Sequence, residues 1–238
     1  MFTGIIQSVA IIEKITDLNG IRTFEINFPA GFCVGLEIGA SVAVDGVCLT
    51  VTELVDENRA LFDVMLQSLL ITTLSDFKQG QRINVERAAK DGAEIGGHPL
   101  SGHVDFKTTL VDILQQEDNY RIRFSLPKEW KPYVFPKGYI AINGASLTVS
   151  EVDKEQSWFD VWLIPETLRM TTFGHKGASD YVNIEIERGT QVVVDTVRDT
   201  IKETLGPLLP MFEKFLEQHG ANIDVIGQET TRHLSDKK

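Results

Sequence analysis

Along most of this chain apolar and polar residues alternate with a period of two, the pattern of strands that bury one face and wet the other. Residues 23–28 put Phe24, Ile26 and Phe28 on one side. Residues 41–44 and 47–54 flank Asp45-Gly46, and Asp-Gly between alternating runs signals a hairpin, because a type I′ turn needs positive φ at both central residues. With 5–15, 61–66 and 82–88 the first half holds six predicted strands, and 68–77 reads as a short helix. The second half repeats the plan at 103–113, 120–126, 139–142, 145–152, 158–164 and 181–187, with Asn143-Gly144 as its turn. Six short strands in about 90 residues predict a small closed barrel, which leaves no exposed edge. The rhythm then changes. Val194, Val197, Ile201, Leu205 and Leu208 are spaced 3, 4, 4 and 3, an amphipathic helix with a narrow apolar seam. Gly206-Pro207 and Pro210 interrupt it, and 211–218 can form a second helical piece. After Gly220 the chain turns polar and is expected to be loose. Such a helix either covers its own barrel or pairs with copies of itself.

The two halves are copies. Residues 41–54, SVAVDGVCLTVTEL, align with 139–152, YIAINGASLTVSEV, at a shift of 98, and the same shift carries Phe2-Thr3-Gly4 onto Leu100-Ser101-Gly102. Shifts of 97 and 99 carry 62–66 onto 159–163 and 83–86 onto 182–185. This predicts an all-β protein of two tandem homologous six-stranded barrels plus a C-terminal α-helix. The expected domains are 1–97, 98–190 and a helical segment with tail at 191–238, with the glycine-rich stretch 89–97 as linker. Two copies of one pocket suit a reaction between two like molecules.

A net charge of −11 argues against nucleic acid and anionic membrane surfaces as partners. Two cysteines, Cys33 and Cys48, without a signal peptide, fit reduced thiols in a cytoplasmic protein. No apolar run is long enough to span a membrane as a helix.

Chemistry concentrates at matched positions. Cys48 and Ser146 are equivalent, each is followed by Leu-Thr-Val, and alternation turns Thr50 and Thr148 to the same face. The plain alternative is that Cys48 is a small buried hydrophobe and the threonines only favour strands. Residues 96–103, GGHPLSGH, bring His98 and His103 five apart among glycines. Neither spacing nor neighbours supply a metal site. His103 matches Ile5, so one predicted pocket has a titratable group where the other has none. Glu166 and Thr167, after a strand, are either a helix cap or groups that orient a ligand. Phosphate loops, dinucleotide fingerprints and zinc spacings are missing from the sequence.

The opening MFTGII, GVCLTVT at 46–52, VERAA at 85–89, GGH at 96–98, SGH at 101–103, NGASLTV at 143–149 and IPETL at 164–168 together resemble riboflavin synthase of the alpha-chain type, a lumazine-binding family. The resemblance runs from Met1 to about Val197 and carries no motif beyond about Leu205. It implies two Greek-key barrels and a C-terminal helix in a homotrimer. The implied reaction is a dismutation of two 6,7-dimethyl-8-ribityllumazine molecules into riboflavin and 5-amino-6-ribitylamino-uracil, without metal or redox cofactor. The reacting pair is expected between subunits. Association with lumazine synthase stays open. Carried over, the N-terminal pocket takes Gly4, Ile5, Ile6, Ser41, Cys48, Leu49, Thr50, Asp63, Val64, Met65, Leu66, Gln67 and Ser68. The C-terminal pocket takes Gly102, His103, Val104, Ser146, Leu147, Thr148, Trp162, Leu163, Ile164, Pro165, Glu166 and Thr167, with Lys137 reaching a ligand at the interface. Cys48, His103, Ser146, Thr148 and Glu187 are the catalytic candidates. The chain departs from the family at Glu187, where Asp is usual, at Asn143, where Asp is common, and at Gln67-Ser68, where Glu-Thr is usual. The alternative is a non-catalytic lumazine or flavin antenna protein of the same fold, which would resemble the enzyme less at these polar positions.

Overall fold

Strands follow the alternation closely. The computed structural model describes residues 1–218. The first barrel contains β1 (Ser8–Leu18), β2 (Ile21–Asn27), β3 (Ser41–Val44), β4 (Val47–Leu54), β5 (Arg59–Met65) and β6 (Arg82–Arg87). They close in the order β1-β2-β5-β4-β3-β6, every pair antiparallel. The second contains β7 (Phe106–Gln116), β8 (Asn119–Ser125), β9 (Tyr139–Ile142), β10 (Ala145–Asp153), β11 (Trp158–Leu163) and β12 (Tyr181–Ile186), closed in the equivalent order. In each, three hairpin-linked strands are followed by one that returns beside the first, which is a Greek key. Both predicted turns form: Asp45 and Gly46 have φ of 42° and 81°, Asn143 and Gly144 of 45° and 80°. Inward residues such as Phe24, Ile26 and Phe62 fill one core, and Phe124, Phe159 and Ile184 the other.

The structure corrects three predicted elements. Residues 68–77 are not one helix. An α-helix α1 (Leu66–Ile71) stops at Thr72, whose extended backbone starts a 3-10 turn over Thr73–Asp76. The Thr72 hydroxyl donates to the Ser68 carbonyl at 2.6 Å and accepts from the Leu74 N–H at 3.3 Å, so one side chain ends one helix and caps the next. The second repeat does the same with α2 (Pro165–Met170) and Thr171. The strands predicted from residues 5 and 103 begin later, at Ser8 and Phe106.

The residues left out of those strands cross between barrels. Phe2 and Leu100 form an isolated antiparallel bridge. Ile6 then packs into the second barrel's core and Val104 into the first's. Each barrel is therefore plugged by the segment that leads into the other. The turns that allow this are Gly4 and Gly102, at φ of 75° and 77°. Buried asparagines tie the same boundary: Asn84 accepts from the Thr172 N–H and Asn183 from the Thr73 N–H, each at 2.8 Å.

The C-terminal segment holds α3 (Arg188–Leu205), a 3-10 turn at Gly206–Leu208 and α4 (Leu209–Gln218). Gly206-Pro207 ends α3 as its missing donor requires, while Pro210 sits in the first turn of α4, where a lost N–H costs little. Val197, Ile201, Leu205 and Leu208 of the predicted seam are each at least half exposed. The looseness expected after Gly220 lies outside the described residues.

Candidate functional site

Strand register puts the matched polar residues on outward faces. Ala43 pairs with Cys48 and Ser41 with Thr50; in the second barrel Ala141 pairs with Ser146 and Tyr139 with Thr148. Cross-strand partners share a face, so each barrel shows a patch of three polar or aromatic groups just past its hairpin. One step beyond the Val51–Phe62 and Val149–Val161 pairs, Asp63 flanks Thr50 and Trp162 flanks Thr148.

The crossing segments complete these patches, in the opposite sense to the sequence expectation. The Ser146 N–H donates to the Gly4 carbonyl at 2.8 Å, and the Cys48 N–H donates to the Gly102 carbonyl at 2.8 Å. A Cβ on Gly4 would lie 2.6 Å from the Ser146 Cβ, and one on Gly102 2.6 Å from the Cys48 Cβ. Gly4 and Ile5 therefore belong with Ser146 and Thr148, not with Cys48. Gly102 and His103 belong with Cys48 and Thr50, not with Ser146. The reason is the exchange of leading segments, which a tandem repeat in sequence does not display.

Several predicted contact residues turn inward. Ile6, Leu49, Val64, Val104 and Leu163 are buried in the barrel cores, so they offer a ligand backbone at most. Leu147 is half-buried against the second core. Ile5, His103, Thr50, Thr148, Asp63, Met65, Leu66, Gln67, Trp162, Ile164, Pro165, Glu166 and Lys137 are exposed, and Ser41, Ser68 and Thr167 are half-buried. Glu166 forms a two-bond ion pair with Arg169 at 2.6 and 2.9 Å, which holds its carboxyl below the usual range despite a small opposing desolvation. Asp63 accepts from the Thr23 hydroxyl at 2.6 Å. A cleft of about 670 Å³ opens beside Ile5, Thr3 and Gly96.

The residue missed by sequence reasoning is His98. Its Nδ1 lies 2.6 Å from the Ser146 Oγ, and its ring stacks on Tyr139 at 5.2 Å. It is buried, and its Nε2 is enclosed without a partner among the described residues. Burial lowers its pKa, against the pull of the Glu187 charge. The imidazole is thus neutral near pH 7 and can accept the Ser146 proton at Nδ1. Gly97 permits this approach, since a Cβ there would meet the Thr3 carbonyl at 2.5 Å and the Ser146 Oγ at 2.9 Å. The glycine pair before His98 was the available signal. Glu187, expected among the catalytic groups, instead caps α3: its carboxylate accepts from the Gly189 N–H, the Thr190 N–H and the Thr190 hydroxyl at 2.6–2.8 Å. Desolvation raises its pKa, but these bonds prevail and hold it low. Its charge is also felt by His98.

The departures from the twofold pattern are equally concrete. The first patch has Cys48, Ser41 and an exposed His103; the second has Ser146, Tyr139 and a buried His98. Cys33 and Cys48 are both free thiols. No described helix is long and apolar enough to cross a membrane.

The lumazine binding domain matches residues 3–88 and 101–187. The chain is 48% identical over 198 residues to riboflavin synthase of Escherichia coli (strain K12), covering 83% of this chain and 92% of that one. It is 43% identical over 198 residues to riboflavin synthase of Chlamydia pneumoniae, covering 83% and 96%. Among solved structures, LumP complexed with 6,7-dimethyl-8-(1'-D-ribityl) lumazine superposes with a TM-score of 0.71 at 25% identity, covering 79% of this chain and 99% of that one. LumP complexed with riboflavin gives 0.70 at 26% identity, covering 79% and 100%.

Proposed function

The chain belongs to the riboflavin synthase family of lumazine-binding proteins, and from that premise we propose how its two patches share the reaction. The enzyme moves a four-carbon unit between two 6,7-dimethyl-8-ribityllumazine molecules, giving riboflavin and 5-amino-6-ribitylamino-uracil. The two substrates account for every atom of the two products, so the reaction needs no external oxidant or reductant. Its similarity to riboflavin synthases at 43–48% identity, against 25–26% to LumP, favours the enzyme over the antenna protein.

The observation that carries our assignment is that one site is built twice with different chemistry. At the second patch Ser146 rests on a buried imidazole at 2.6 Å; at the first, Cys48 lies beside Gly102 and the exposed His103. Each patch binds one lumazine, with Thr50 or Thr148 and the following α1 or α2 segment at its edge. One lumazine must lose a proton from its C7 methyl and the other must accept a nucleophile at C7. Neutral His98 draws the Ser146 proton and so raises the basicity of the Ser146 oxygen, either for C7 directly or for a water held there. Bringing the two ring systems together supplies much of the remaining acceleration.

The exposed apolar groups around the patches, Ile5, Met65, Leu66, Trp162 and Ile164, and the apolar seam of α3 both want cover. We take the cover to be neighbouring subunits: a homotrimer in which a first patch of one subunit faces a second patch of another, with Lys137 contributing across the interface. The absence of cysteine pairing supports a cytoplasmic location.

Incubating the purified chain with 6,7-dimethyl-8-ribityllumazine tests the function. Two lumazines should disappear for each riboflavin formed, with the pyrimidine in equal amount and no nucleotide added. A requirement for NAD(P)H would overturn it.

A further inference from the structure

Two buried carboxylates are left unused by the chemistry above. Glu86 on β6 and Glu185 on β12 are almost fully enclosed, at 1% and 3% exposure. Neither has an ion-pair partner within 4 Å among the described residues. A charge in such a place is tolerated only when hydrogen bonds replace its water. Glu86 receives three, from the Thr3 N–H at 2.6 Å, the Thr3 hydroxyl at 2.7 Å and the Gly4 N–H at 3.1 Å. Glu185 receives the same three, from the Ser101 N–H and hydroxyl at 2.7 Å and the Gly102 N–H at 2.9 Å.

We infer that Glu86 and Glu185 are positioning residues that act across the barrel boundary, each holding the crossing segment that completes the other barrel's site. Glu185 stands in the second barrel, yet Gly102 abuts Cys48 of the first. Glu86 stands in the first barrel, yet Gly4 abuts Ser146 of the second. The clamp also reaches the residue after each glycine. While the Ser101 hydroxyl donates to Glu185, it accepts from the His103 N–H at 3.2 Å; the Thr3 hydroxyl does the same for Ile5 at 3.2 Å. Glu185 therefore fixes where His103 stands at the Cys48 patch, and Glu86 fixes Ile5 at the Ser146 patch. A carboxylate that merely stabilised its own barrel would have no preference between the two sites. This inference rests on the riboflavin synthase reading, and it makes a crossed prediction.

The test uses full-length Glu185→Gln and Glu86→Gln, in which an amide N–H₂ confronts N–H donors. Cys48 reports on the first patch without turnover, because Cys33 is buried and burial raises its thiol pKa. An aromatic disulfide reagent should modify Cys48 about tenfold faster in Glu185→Gln, and within about twofold of the parent rate in Glu86→Gln. Both variants should lose about tenfold or more in kcat/KM for the lumazine. Equal modification rates in the two variants would overturn the inference. Should Glu185→Gln not fold, Ser101→Ala removes only the hydroxyl relay. It should show the same faster labelling and lower kcat/KM, and Ser101→Thr, which copies Thr3, should restore both. Parental behaviour of Ser101→Ala would also overturn it. A parent protein that makes no riboflavin would instead count against the enzymatic reading, leaving the labelling contrast to stand or fall alone.

Discussion

At the scale of the residue, the twofold pattern is informative where it fails. Asp45 and Asn143 hold the same turn position, and each accepts a backbone N–H at 2.7 Å, from Asn84 and Asn183. Asp45 is fully buried, and desolvation pushes its carboxyl up to about 6. Between about pH 4 and 6 the folded protein keeps a proton that the unfolded chain has released. Stability therefore falls as pH rises through that window, by about 3 kcal/mol at most. Asp45→Asn removes this loss but buries an amide nitrogen, and the Asn143 Nδ2 is already buried without a partner among the described residues; that costs about 1–2 kcal/mol. The variant should melt a few degrees higher than the parent at pH 7.5 and lower at pH 4, as scanning calorimetry at the two pH values would register. His98 gives a second prediction. Its neutral form is the active one, so the rate should fall as pH drops through its depressed pKa. Glu187→Gln removes a charge that raises that pKa, so the acid limb of the kcat profile should move to lower pH. An unmoved limb would dissociate His98 from the rate. His98 was visible in the sequence only as one of two histidines among glycines. Its partner Ser146 stands 48 residues away, and only the crossing of the linker brings them together.

At the scale of the element, strands and turns were legible because their causes are local. Alternation fixed which residues face in, and Asp-Gly and Asn-Gly fixed the hairpins. The break at Thr72 was hidden, because its side chain competes with the helix for a backbone carbonyl, and nothing in the apolar pattern registers that. The pocket groupings were misassigned for a non-local reason: the Glu86 and Glu185 clamps that redirect residues 3–5 and 101–103 lie more than 80 residues away. The helix α3 was legible from its spacing, and its partner was not. If its seam joins subunits, Ile201→Asp with Leu205→Asp buries unpaired charge in the contact. Sedimentation should then give a smaller species with diminished turnover. A fully active trimer would remove α3 from the assembly.

At the scale of the whole molecule, a tandem repeat suggests two independent halves, and the exchanged segments deny it. Residues 1–97 alone would lack the 98–105 plug on the first core, while their own first seven residues would have no second barrel to enter. Because Thr3-Gly4 presents to Glu86 the same donors that Ser101-Gly102 presents to Glu185, two copies of the half can plug each other. The isolated half should therefore be a dimer that binds riboflavin; a monomer that binds it equally well would contradict the need for a plug. The same exchange sets a timetable for synthesis. Gly4 waits for Ser146, 142 residues later in the chain, or on the order of 7–30 seconds at typical ribosome speeds. Residues 2–6 are therefore made well before the barrel they plug. Until then Ile6 has no second core to enter, and the apolar segment Phe2, Ile5 and Ile6 lacks the barrel it plugs. Neighbouring chains on one messenger can capture that segment in the interval, so the contact that ties the two barrels together is also the one most exposed to forming with the wrong copy.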